Sequence, residues 1–281
     1  MKSSRYSCLL AAAALCLVGC GRPKVERLAW PVMGTVAAVQ TRADLGGSGP
    51  VADVSAVKQV FASVEKLMNA HDPDSETSRL APRGEAEVLA GCAPEVRPCY
   101  AAAFKLMRAS GGAFNPRWRG PRTLDLGAIA KGFAVDRATN DPALAGRADV
   151  LVDLGGNLKA LRGSWRTGVK NPRGGGFAAV VDLREGEALA TSATYYRGGH
   201  IYDGRTGLAV SNGVAAVTVL CNSAMWADGL STTLFVLGPK EGAAFLDGKL
   251  SYLLGDGKVS VLWIMDDGSK TTYGNARFSR D

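Results

Sequence analysis

Four stretches of this sequence gather residue types that suit chemistry on a phosphate or a planar ligand. The densest is Leu124-Asp125-Leu126-Gly127-Ala128-Ile129-Ala130-Lys131-Gly132-Phe133-Ala134-Val135-Asp136. A strand-like approach reaches a carboxylate, a glycine opens a turn, and small residues begin a helix that carries a lysine. Such a turn offers backbone N–H groups and the positive end of a helix dipole to an anion, with Lys131 in reach of a phosphate from the first turn. The same pattern also occurs as a plain tight connection.

The second stretch is Ala227-Asp228-Gly229-Leu230-Ser231-Thr232-Thr233, where Asp228 and Thr232 share one helix face. A carboxylate and a hydroxyl suit magnesium, a hard cation that keeps substrate phosphates among its ligands. The alternative is an Asp satisfying the start of a helix, with Thr232 bonding back into it. In the third, Gly198 to Gly207, glycines flank His200, one of only two histidines with His71. A histidine is the natural general base for an attacking hydroxyl near neutral pH, and it is equally at home as a loop residue without a task. In the fourth, Gly111-Gly112-Ala113-Phe114-Asn115-Pro116, Phe114 and Asn115 either face a planar ligand or fill the core and cap a turn.

These stretches need elements to hold them. Val54, Val57, Phe61, Val64, Leu67 and Met68 recur at helical spacing, predicting a helix that ends before His71-Asp72-Pro73. A second helix is expected over Tyr100 to Ser110, stopping at Gly111-Gly112. A third opens at the N-cap Ser223 and runs from Ala224 to Leu237, with Gly238-Pro239 closing it. Val150 to Val152, Trp165 to Val169 and Phe177 to Leu183 read as strands, and Val259 to Met265 with Lys270 to Tyr273 as a hairpin. Helices and strands mix without strict alternation, so the expected class is α+β.

The chain has 281 residues, 47% hydrophobic and 21% charged, enough to bury a full core. Its net charge of +7 is spread without a basic run, which excludes a nucleic-acid stripe and leaves small anions as the expected charged ligands. Lys2 and Arg5 precede the apolar stretch Cys8 to Val18, too short to span a bilayer and suited to a signal peptide. It ends in Leu17-Val18-Gly19-Cys20, which resembles a bacterial lipobox, with Cys20 as the lipidated residue. The division expected is a signal over residues 1–19, a lipidated tether over 20–29 and one domain over 30–281. Export would expose Cys92 and Cys99, separated by six residues in a Pro-containing loop, to an oxidising compartment where they could form a disulfide. Cys221, ending an apolar run, reads as a buried thiol.

Taken in order, the stretches resemble the ApbE family of flavin transferases, the FAD:protein FMN transferases. The resemblance runs through Met33-Gly34-Thr35, Asp74-Ser75-Glu76 with Ser78-Arg79-Leu80, Gly112 to Pro116, Asp125 to Asp136, and Leu154-Gly155-Gly156. It continues in Thr191-Ser192, His200-Ile201 with Arg205-Thr206-Gly207, and Ala227-Asp228 with Leu230-Ser231-Thr232. It implies a largely antiparallel α+β fold with packed helices, and magnesium held by the Ala128 carbonyl, Asp228 and Thr232. It implies FAD contacts from Met33, His71, Ala113, Phe114, Asn115, Asp125, Lys131 and Ile201, with His200 activating a Thr or Ser hydroxyl of an acceptor flavoprotein on the periplasmic side of the envelope. The chain departs from the family pattern in His71 for a usual Tyr, in Asn115 for a usual Asp, and in Gly204 where His-Ile-x-Asp-Pro ends in Pro.

Two further activities fit the same residues. A magnesium-dependent FAD pyrophosphatase would use water in place of the acceptor hydroxyl. A flavin-binding lipoprotein without catalysis would need neither His200 nor the Asp228 and Thr232 pair.

Overall fold

The computed structural model describes residues 25–42, 54–141, 144, 149–194, 201–275 and 277–279. The chain opens with two antiparallel strands, β1 (Val25–Val32) and β2 (Thr35–Arg42), joined at Met33-Gly34. Helices α1 (Ser55–Met68), α2 (Glu76–Leu80), α3 (Glu85–Gly91), α4 (Arg97–Ala109) and α5 (Ala130–Thr139) follow. Five strands come next: β3 (Val150–Leu154), β4 (Asn157–Ala160), β5 (Trp165–Lys170), β6 (Phe177–Leu183) and β7 (Ala188–Ala193). Then come β8 (Val214–Cys221), the long α6 (Ala224–Leu254), β9 (Ser260–Met265) and β10 (Lys270–Tyr273).

Eight strands form one sheet in the order β1-β2-β3-β4-β7-β8-β9-β10, and β5 and β6 form a separate hairpin. Among the described residues every strand pairing is antiparallel, in keeping with the largely antiparallel α+β fold expected. Helices pack on one face over a core containing Phe61, Phe104, Phe235 and Trp263. On the other face Trp165, Val181 and Leu183 of the β5–β6 hairpin meet Leu220, Leu262 and Ile264. Covered from both sides, β8 is buried along all eight residues, which explains its unbroken apolar run. An antiparallel strand with one wet face would alternate instead.

The predicted helices are present, and each follows from its residues. Val57, Phe61, Val64 and Met68 give α1 one buried stripe. Ser223 caps α6, its side chain accepting from the Trp226 N–H. Beyond Leu237 the expectation fails: Gly238 turns the chain with φ 70°, and α6 then resumes through Pro239 to Leu254. Proline needs no N–H partner in the first turn of a resumed helix, so Gly-Pro here makes a kink and not a stop.

Three other expectations are corrected. Val25 to Ala29, assigned to the tether, belong to β1, paired residue by residue with β2. Leu124 to Leu126 form no strand; both leucines are buried individually in the core, so their apolar character reflects packing and not a sheet. Cys92 and Cys99 are free, buried thiols at the end of α3 and inside α4, and Cys221 is a third. Among the described residues no helix is long and apolar enough to cross a membrane. Cys20 and His200 lie outside the described residues.

Candidate functional site

The site is built where α5 meets the N-terminal half of α6. A turn closes just before α5, with Ile129 and Ala130 donating to Leu126 O at 2.9 and 2.8 Å. Lys131 therefore stands in the first helical turn, and its Nζ donates back to Gly127 O at 2.7 Å. The same Nζ lies 3.5 Å from Asp228 Oδ2. Asp228 is only 5% exposed, and a carboxylate that deep must be partnered. Its Oδ2 also accepts the Gly132 N–H at 2.9 Å. A Cβ at Gly132 would fall 2.1 Å from the Ala224 carbonyl oxygen, so only glycine lets the two helices approach this closely.

Thr232 lies one turn beyond Asp228 and presents its hydroxyl to Ser192 of β7 at 3.1 Å. Ser192 also meets Ser231 Oγ at 2.8 Å, and Ser231 donates to the Asp228 carbonyl at 2.9 Å. A row of hydroxyls thus runs beside the carboxylate. Ser192 and Ser231 had been noted in the sequence without a role, because nothing local pairs β7 with α6.

Asp136, one turn after Gly132, is the residue sequence reasoning missed. It accepts from Ser223 Oγ at 2.7 Å, from Ala224 N at 3.0 Å and from Met225 N at 2.9 Å. Lys159 of β4 neutralises it at 2.7 Å. Its carboxylate takes up free N–H groups at the start of α6, where the helix dipole favours negative charge. One side chain of α5 thereby sets the register of α6, and with it the place of Asp228.

A second group of expected residues sits on two loops. Ala113 and Phe114 are buried, so Phe114 fills the core, and the Asn115 Oδ1 accepts from Arg117 N at 2.8 Å as a turn cap. Asn115 Nδ2 donates to Gly204 O at 3.0 Å, joining the two loops. Trp118 and Tyr202 stack with centroids 4.0 Å apart, and Ile201 is buried beside them in sequence. A cleft of about 420 Å³ opens here, lined by residues that include Asn115, Trp118, Gly204 and Arg205. Asp125 bridges this region to the lysine turn: its N–H donates to Pro116 O at 2.7 Å and its Oδ1 accepts from Gly127 N at 2.9 Å.

Met33 and His71 lie outside both groups of contacts. Met33 adopts φ 51°, uncommon for a side chain of its size, and its N–H is held by Glu65 Oε1 at 2.9 Å. His71 is exposed in the turn after α1, its N–H donating to Asn69 Oδ1 at 2.9 Å.

The family model of the ApbE family matches residues 33–124 and 117–254. The chain belongs to the ApbE family. Among curated ApbE relatives, the FAD:protein FMN transferase of Rhodobacter capsulatus is 38% identical over 158 residues, 52% of this chain and 29% of that protein. One from Klebsiella pneumoniae is 36% identical over 132 residues, 44% of this chain and 42% of that protein. The chain thus spans less than half the length of these two relatives, whereas its match to the Vibrio cholerae protein, at 26% identity, covers 95% and 96% of the two chains. Flavin Transferase ApbE from Vibrio cholerae shares the fold with a TM-score of 0.71 at 22% identity, covering 91% of this chain and 98% of that one. Pseudomonas stutzeri flavinyl transferase ApbE in its apo form gives 0.70 at 25% identity, covering 90% and 95%. The ApbE fold expected from the sequence is the fold observed.

Proposed function

We propose that this chain is an FAD:protein FMN transferase, dependent on magnesium, that joins FMN through a phosphoester bond to a Thr or Ser of an exported flavoprotein. The observation that carries the reading is the convergence at the α5–α6 junction of Asp228 and Thr232, which the family resemblance implies as metal ligands, with Lys131, which it implies against the nucleotide, and with Ser192 of β7 beside them. The donors fit magnesium. Asp228 supplies one carboxylate, Thr232 a hydroxyl and Ala128 a backbone carbonyl, all hard oxygens. The Lys131 ammonium rests between Gly127 O and Asp228 Oδ2, a pairing that supports a cation beside this carboxylate. Among the described residues no three His, Cys, Asp or Glu side chains cluster, so substrate phosphates complete the charge balance. The metal would act as a Lewis acid on the pyrophosphate oxygens.

The chain's own residues bind, orient and move a proton. Lys131 offsets charge on the phosphates from the start of α5. Ala113, Phe114 and Ile201 have buried side chains and offer their backbone to the flavin nucleotide, Asn115 and Asp125 border it from the surrounding turns, and Met33 and His71 are contacts that rest on the family resemblance alone. His200 takes the proton of the acceptor hydroxyl, a contribution of about 10²- to 10⁴-fold. The acceptor oxygen forms a bond to the FMN phosphorus, and the bond from that phosphorus to the bridging oxygen breaks, releasing AMP. The basic leader and Cys20 support an exported, lipid-anchored protein on the periplasmic side of the envelope.

The test is to incubate the full chain, solubilised in mild detergent, with FAD, magnesium and a flavoprotein domain carrying an acceptor Thr. The expected result is an acceptor heavier by one FMN, with AMP appearing only when magnesium is present. Free FMN and AMP with an unmodified acceptor would replace transfer by pyrophosphate hydrolysis, and FAD bound without turnover would leave a binding protein.

A further inference from the structure

We propose that Asn115 and Gly204 are a matched pair whose contact positions the 201–207 loop against the 112–118 turn, and that Asn115 serves FAD binding through this clasp instead of through its own amide. The inference rests on FAD being the ligand of the site.

Both ends of the Asn115 amide are already used inside the protein. Its Oδ1 accepts from Arg117 N at 2.8 Å and its Nδ2 donates to Gly204 O at 3.0 Å. The reverse link is made by backbone, with Gly204 N donating to Ala113 O at 3.2 Å. The loops also share the Trp118–Tyr202 stack, and the Arg205 stem lies against Gly112. A Cβ at position 204 would stand 2.3 Å from Asn115 Cβ and 2.5 Å from Gly112 O. One of those atoms is backbone, so the two loops could not stay this close with any side chain at 204. An Asp at 115 would keep the acceptor for Arg117 N and aim its second oxygen at the Gly204 carbonyl. A Pro at 204 would lose the N–H bond to Ala113 and add the forbidden Cβ. Either substitution, introduced alone, opens the clasp.

The experiment compares the full chain with Asn115→Asp, Gly204→Ala and the double variant, measuring hydrogen exchange without ligand, then FAD affinity and turnover. Asn115→Asp should speed exchange of the 202–210 amides, raise the KM and Kd for FAD about tenfold, the scale of one lost hydrogen bond, and lower kcat less than threefold. Gly204→Ala should do the same, and the double variant should be no worse than either alone, because both break one contact. Unchanged exchange in Asn115→Asp, or a loss of stability with KM unmoved, overturns the clasp. Effects that multiply to about a hundredfold also overturn it, since independent contacts add in free energy. Should Gly204→Ala fail to fold, Asn115→Asp decides the matter alone: it replaces the Nδ2 donor by a charged oxygen, and the exchange measured without ligand separates loss of the clasp from repulsion of FAD. Absence of FAD binding by the unaltered chain would sink the transferase reading, and the exchange data would still judge the clasp.

Discussion

Gly132 and Asp228 meet where α5 crosses the start of α6, the glycine N–H donating to Asp228 Oδ2 at 2.9 Å. A methyl group at Gly132 would come within 2.8 Å of Asp228 Cβ as well as striking the Ala224 carbonyl. The buried carboxylate is therefore placed by the absence of a side chain, and Lys131 and Asp136 on the same helix add its cation and its register.

Gly132→Ala is expected to cost about 1–3 kcal/mol of stability through overpacking. Because the strain falls on the residue that would hold the metal, turnover should drop further than the folded fraction does. Urea unfolding beside activity at one temperature checks this, and an active, equally stable variant would refute the close-approach argument.

Lys131→Met should keep the helix, since both are good helix formers, while removing the cation beside Asp228. A fall in kcat of about 10²- to 10³-fold is expected if Lys131 stabilises charge on the phosphates. Rates within a few fold of the parent would reassign the lysine to structure.

Asp136→Ala leaves Ser223 and the first α6 amides without their acceptor and Lys159 without its partner. The expected loss is about 2–4 kcal/mol. Measured by denaturant unfolding, a loss below about 1 kcal/mol would show that water serves the helix end as well as the carboxylate does.

Thiol titration tests the cysteines. Burial pushes the Cys99 thiol up, and the Cys221 thiol to about 12, so neither should react in the folded protein near neutral pH. For a chain lacking residues 1–24, unfolding without reductant should release three reactive thiols, Cys92, Cys99 and Cys221. Finding only one would restore the disulfide between the first two.

Arg205 donates to both carboxylate oxygens of Asp203, at distances between 2.7 and 3.1 Å, and these bonds hold the Asp203 carboxyl below its usual 3.8. The unfolded chain then takes up a proton first as pH falls. The pair's stabilisation is accordingly complete above pH 3.8 and lost as pH drops through the lowered folded value. Arg205 is exposed, so the gain is small, about 0.5 kcal/mol. Asp203→Asn should be slightly less stable than the parent at pH 6, by a gap that narrows as pH falls below 3.8; a gap that widens in acid would reverse the assignment.

What could be read from the sequence was local. Ser223 announced α6 because capping acts over three residues, and β9 with β10 announced a hairpin because the turn lies between them. The class and the motif order followed. What escaped depends on contacts far apart along the chain: Asp136 reaches Ser223 across 87 positions, Ser192 reaches Thr232 across 40, and Asn115 reaches Gly204 across 89. No periodicity encodes such pairs. Leu124 and Leu126 misled because two apolar residues flanking a carboxylate alternate like a strand, although each fills a separate place in the helical core. Phe114 shows the same limit: it is buried in the core shared by the helices and the sheet, which its neighbours in the motif do not reveal.

The β5–β6 hairpin leaves the main sheet after β4 and returns at β7, which pairs directly with β4. The order of the eight-stranded sheet therefore passes from β4 to β7 without β5 or β6. At the hairpin's tip Gly174, Gly175 and Gly176 all have positive φ, with open space where a side chain would begin. The open space suits an insertion that keeps the three glycines: a peptide spliced in there would ride on the far face of the sheet, leaving the pairing of β4 with β7 and the α5–α6 junction as they are.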